Sequence, residues 1–264
     1  METFISRLDQ LFTATAWQIP TPKAYGPFHL SFTLIGFLVC GLLAYRLRNI
    51  SQKAAHRLLI GIGAFLMITE VYKQLLYCLV IHESGYPWWI FPFQLCSIPM
   101  YLCVITPLLK PGKVQNALYT FMMLYNLLGG AISFAEPSGL LSSYVMLTAH
   151  SMIWHMILVF VGLFLMFSGL GGRTARDYRY STYVFLILCV IAFTINLVFR
   201  DVSGGSINMF FIGPANTSIA VFKQIAKRFG WYVSTAVYIP AICLGAYLIM
   251  CVVRHVPQKK AIIK

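Results

Sequence analysis

The feature that most constrains this chain is a succession of apolar runs, each long enough to cross a lipid bilayer, with nearly all the charged residues in the gaps between them. About 20 apolar residues make one helical crossing. By that measure the sequence predicts about seven transmembrane helices, at residues 28–45, 58–81, 88–109, 114–134, 144–167, 183–199 and 231–253. The fold class expected is therefore all-α, a polytopic membrane helix bundle, with residues 1–264 forming a single integral membrane domain. Composition agrees, since 59% of residues are hydrophobic and only 10% charged. A water-soluble domain needs about 25% charged residues to coat its surface. The mean hydropathy is +0.77.

The net charge of +13 could suggest a nucleic-acid partner. The basic residues sit in short clusters between apolar runs, however, which is the pattern of the positive-inside rule and not of a nucleic-acid face. Thirteen of the 20 Lys and Arg residues fall on one side of the predicted bundle, six on the other, and Lys73 within a span. The richer side is expected in the cytoplasm, which puts the N-terminus outside and the C-terminus inside. Trp88, Trp89 and Trp231 then lie at the outer interface, where aromatic belts form. Glu2, Arg7 and Asp9 interrupt the N-terminus, so no signal peptide is read there.

The one long connection, residues 200–230, is expected outside. It is too apolar at Asn208-Met209-Phe210-Phe211-Ile212 for a disordered linker. It is read as a re-entrant or headgroup-level segment, with residues 218–229 as a short amphipathic helix carrying Lys223, Lys227 and Arg228. No internal repeat suggests an inverted-repeat transporter. The seven cysteines all fall in apolar stretches without CxxC or His/Cys ligand spacing, so neither a disulfide framework nor a metal site is expected. No cofactor is expected either.

Ionisable groups inside a bilayer mark candidate sites. Glu70 and Lys73 are three residues apart on one helix face and able to neutralise each other, either as a structural ion pair or as a pair that orients a site. His29 lies at the outer end of the first span. Gln94 and Cys96 lie six and eight residues into the third, His150 and His155 six and eleven into the fifth, and Asn196 and Arg200 close the sixth. At ~1.5 Å per residue, Cys96 and His150 both fall about 9–12 Å below the outer surface. The spacing therefore predicts one polar cavity opening toward the outer leaflet. His155 is the weaker histidine, because five residues turn it about 140° from His150. A cysteine and a histidine at equal depth make a nucleophile and its activating base.

Glu70 and Lys73, Phe91-Pro92-Phe93-Gln94-Leu95-Cys96, the His150 segment, and Asn208-Met209-Phe210-Phe211 with Pro214 and Trp231-Tyr232 occur in an order that resembles the YwaF-like family of bacterial membrane proteins. That family is similar to the eukaryotic transmembrane-protein-164 acyltransferases. The resemblance covers nearly the whole chain. It implies a multi-span bundle and, for the eukaryotic branch, cysteine/histidine transacylation of lysophospholipids, with His150 at the position of the catalytic histidine. In the eukaryotic pattern a cysteine directly follows the proline, where this chain has Phe93; here the cysteine is Cys96.

On this reading Cys96 and His150 are the catalytic pair. Gln94 and Asn208 stabilise an oxyanion, and Glu70, Lys73, Asn196 and His29 bind substrate or orient the site. Membrane lipids are the partners, and a bacterial cytoplasmic membrane is the expected location. The alternatives are a lipid or small-molecule binding or transport protein using the same cavity, and a structural membrane subunit. Rhodopsin- and receptor-like readings lack support: the last span has no lysine, and the third ends Leu108-Leu109-Lys110.

Overall fold

A computed structural model describes residue 7 and residues 10–82, 85–215 and 217–256. The basic tail from 257 onward, Glu2 and Asp9 lie outside the described residues. Among those described there is no strand, and six helices are long and apolar enough to cross a membrane. These are α1 (Pro27–Leu47), α2 (Gln52–Leu76, continued by a π-helical Tyr77–Ile81), α4 (Lys113–Ala135), α5 (Val145–Ser168), α6 (Ala175–Val198) and α8 (Trp231–His255). Between α2 and α4 lies the short α3 (Ile98–Leu108), and before α8 lies α7 (Ala220–Phe229).

The largest departure from the sequence expectation is the third span. Its helix covers 11 residues instead of the whole of 88–109. Trp88–Ile90 form a single 3₁₀ turn, and residues 91–97 are irregular. Pro92 explains this, because a residue before proline is driven to extended backbone, and Phe91 is extended at ψ 131°. The depth argument based on helical rise therefore fails for Gln94 and Cys96, which are not on a helix. Two other spans start earlier than hydropathy predicts, α2 at Gln52 and α6 at Ala175. In both, a hydroxyl caps the first turn: Ser51 accepts from the Ala54 N–H, and Thr174 forms a capping box with Asp177. Hydropathy trims such polar first turns away. The amphipathic helix expected at 218–229 is α7, two residues shorter at its start.

The bundle is built on α4 and α5. Their most apolar windows are 67% and 56% buried, against 17–28% for the other crossing helices. Glycines set the close approaches, as in other membrane bundles where small residues let backbones meet. A Cβ on Gly162 would strike Leu127, and one on Gly130 would strike Leu158, so α4 and α5 interlock from both sides. Gly36 of α1 receives Met156 of α5, and Gly63 of α2 lies against Met100 and Val104 of α3. Midway along α4 the helix widens into a π segment, Met122–Asn126, facing α5 and α8.

At the basic end Arg173 holds the bundle closed by donating to the carbonyls of Met166, Val253 and Val256. Asn116 donates to the Asp177 carboxylate across α4 and α6.

Candidate functional site

At the end of the bundle opposite Arg173, two irregular segments fill the space that the short α3 leaves. One spans residues 91–97 and the other residues 203–215. Much of this backbone is buried, and buried backbone groups must be satisfied by protein. Three amides do so. Gln94 uses both ends: its Nε2 donates to the Asn208 carbonyl at 3.0 Å, and its Oε1 accepts from the Phe210 N–H at 2.9 Å. Asn196 of α6 does the same to Met209, accepting from its N–H at 2.6 Å and donating to its carbonyl at 3.0 Å. The Asn208 side chain accepts from the Gly213 N–H and donates to the Ala215 carbonyl.

These bonds hold a backbone that is strained. Phe210 and Phe211 both have φ near +60°, a region costly to non-glycine residues. The Phe210 ring is fully buried between Phe93 and Phe185. Gln94, Asn196 and Asn208 were expected beside a substrate. In the structure the Gln94 amide bonds the loop at both ends, and the Asn208 side chain is likewise bonded at both ends. Asn196 and Asn208 fix the loop, and Gln94 ties the segment that carries Cys96 to it.

Glu70 belongs to the same shelf. Its Oε1 accepts from Lys73 Nζ at 2.8 Å and from Gln74 Nε2 at 2.7 Å, and Gln74 also donates to the Ile90 carbonyl. The Tyr86 hydroxyl donates to Gln74 Oε1. Burial, with Cys78 and Glu70 nearby, pushes the Tyr86 phenol up to about 12, so it remains a donor. The carboxylate thus ties α2 to the segment that leads into Cys96.

Cys96 and His150 converge on one side chain. Trp154 of α5 donates from Nε1 to the Cys96 carbonyl at 2.9 Å, and its ring lies 5.2 Å from that of His150. The Lys73 ammonium is within electrostatic reach of both Cys96 and His150. The His150 Nε2 is buried without a hydrogen-bond partner. The two residues therefore occupy one neighbourhood, built from α2, α5 and the segment before α3.

The expected shared cavity takes a different form. His150 lines a cleft of about 140 Å³ together with Phe65, Thr69, Tyr72, Ile153 and Trp154. That cleft is mostly apolar and is not lined by Cys96, Glu70 or Gln94, because the Trp154 indole and the amide clamp occupy the polar space. His29 is not part of the neighbourhood at all. It is 1% exposed on α1, between Tyr25 and Phe134, with both ring nitrogens unpartnered. It lies in the first turn of α1, against Phe134 of α4. His155 spends Nδ1 on the Ser151 carbonyl one turn back, at 2.7 Å, as its angular offset from His150 suggested. Trp154 and Gln74 were missed by the sequence reading. Trp154 sits one turn beyond His150, and Gln74 one turn beyond Glu70, so i,i+4 spacing was the signal that could have found them.

Searches of curated proteins and of solved structures return no match. A family model matches residues 24–251, which takes in every helix described above almost to its end. The chain belongs to the TMEM164 family of multi-pass membrane proteins.

Proposed function

We propose that this protein is a lipid acyl- or transacyltransferase working on phospholipids and lysophospholipids from within the outer leaflet, with its basic loops cytoplasmic. The observation that carries this reading is the convergence of Cys96 and His150 on Trp154, with Lys73 in reach of both. In the first step the Cys96 sulfur attacks the carbonyl carbon of a phospholipid ester, and the thiol proton passes to His150. The C–O bond of the ester breaks, and His150 returns the proton to the departing oxygen, which leaves as the lysophospholipid hydroxyl. The acyl group stays on Cys96 as a thioester. In the second step the hydroxyl of an acceptor lysophospholipid attacks the thioester, losing its proton to His150 while the thiolate departs and is reprotonated. Gln94 and Glu70 act as positioning residues for the Cys96 segment, and Asn196 and Asn208 hold the loop to which Gln94 is bonded. Lys223, Lys227 and Arg228 on α7 offer positive charge to headgroup phosphates.

The test is acyl transfer by purified protein in nanodiscs, from a labelled phosphatidylcholine to lysophosphatidylethanolamine. Cys96→Ala and His150→Ala each abolish transfer, and a hydroxylamine-sensitive acyl adduct on the wild type maps to Cys96. Full activity in either variant ends the scheme. A second reading, lipid binding or transport without covalent chemistry, is favoured by one observation: His150 lines the membrane-facing cleft and Cys96 does not. That reading expects Cys96→Ser to be silent in lipid binding and in lipid movement across liposomes.

A further inference from the structure

Ile153, which lines the cleft beside His150, also lines a second hollow of about 330 Å³, floored by Met156, Ile157 and Phe160 of α5 and walled by Leu43 of α1 and Ile62 of α2. Helices α1 and α2 both pack on α5 and leave this groove between them. It is open along its side, where Phe65 is 47% and Ile153 45% exposed, and every wall residue belongs to a crossing helix. Only the hydrocarbon part of the bilayer reaches such a surface.

From His150 to Phe160 the groove runs ten residues along α5, about 15 Å at 1.5 Å per residue. That is roughly half of the ~30 Å hydrocarbon core, the depth of one leaflet. The groove is apolar along its length, and its head end carries the buried, unpartnered Nε2 of His150.

We infer that the α1–α2–α5 groove holds one acyl chain of a phospholipid, with its ester end at His150 and its methyl end at Phe160. This deepens the acyl-transfer reading by assigning where the chain lies, and it rests on that reading only for the identity of the group at the head end. Burial of a chain here makes the groove a ruler, since a chain that outgrows it must leave apolar carbon without matching walls.

The inference is tested in nanodiscs containing a phospholipid with a terminal diazirine on one chain of leaflet length, using protein that carries Cys96→Ser so that no thioester forms. After illumination, mass spectrometry is expected to place the adducts on Ile62, Met156 and Phe160. Val190 of α6 and Leu244 of α8, both lipid-exposed, serve as controls. Ile153→Trp, which fills the junction of the two hollows, lowers the groove adducts about tenfold, the equivalent of about two buried methylenes. Leu43→Trp, from the opposite wall, does the same and guards against a folding defect in the first variant. Equal labelling of Val190 and Leu244, or groove adducts unchanged by both tryptophans, overturns the inference. Groove labelling together with intact acyl transfer in the Cys96→Ala variant leaves the groove standing and removes the thioester chemistry instead.

Discussion

Two regions of this bundle treat polar groups inside the membrane in opposite ways. On the shelf formed by residues 91–97 and 203–215, the half-buried Gln94 and the buried Asn196 amides are bonded at both ends, and Glu70 accepts from two donors. In the groove beside α5, the walls are apolar and the His150 Nε2 has no partner. A satisfied polar network rigidifies what it holds, whereas an unpartnered buried group is costly unless something else completes it. The contrast separates a fixed part, which carries Cys96, from an open part, which presents His150. Trp154 is the hinge between the two descriptions, donating to one and stacking on the other.

The comparison is most strongly tested at Glu70. Glu70→Leu strands the Lys73 ammonium and removes a bond to Gln74. It is expected to destabilise the protein by about 3 kcal/mol, read as a lowered midpoint in detergent unfolding. Adding Lys73→Leu should restore most of that loss, because two apolar residues replace a buried pair at little cost. No recovery in the double variant would show that the lysine has a role beyond neutralising Glu70.

Next in size is Gln94→Leu, which leaves the Phe210 N–H without its acceptor and takes one of two donors from the Asn208 carbonyl, beside a strained backbone. A loss of about 2 kcal/mol is expected, with faster hydrogen exchange at Phe210 as the local signature. A silent Gln94→Leu would mean that the shelf is not held as described. The smallest effect belongs to the groove. His150→Ala should change stability by less than about 1 kcal/mol, since the ring's Nε2 makes no bond to lose and one side of the site is open. It is nevertheless expected to abolish acyl transfer. If His150→Ala instead unfolds the protein as readily as Glu70→Leu, the division into a fixed and an open region fails.

Much of the architecture was legible from hydropathy. The crossings at α1, α4, α5 and α8 match the apolar runs within a few residues, and the amphipathic α7 was visible from Lys223, Lys227 and Arg228. The third crossing was not, because Trp88–Ser97 is as apolar as a helix and hydropathy is blind to backbone shape. Pro87, Pro92 and Pro99 were the available signal, and Pro92 interrupts helix where Gln94 and Cys96 follow. Equal depth for Cys96 and His150 was inferred from a helical rise that Cys96 does not obey, yet the two residues do meet through Trp154. His29 shows the limit of depth as an argument: two residues can share a level in the membrane and face different neighbours.

By itself the sequence determined the class of molecule, since runs of apolar residues with charge mostly in the gaps leave a membrane bundle as the stable outcome. It also marked the few polar groups whose presence in a bilayer demands an explanation. Only the tertiary structure decided which of them meet: Gln94 with Phe210, Cys96 with Trp154, and α1 with α5 across Gly36. The physical reason is that lipid is as apolar as the helix faces it surrounds, so burying one face over another gains little from the hydrophobic effect. Helix partners are then chosen by shape, by glycine contacts and by hydrogen bonds between distant residues, none of which leaves a period in the sequence.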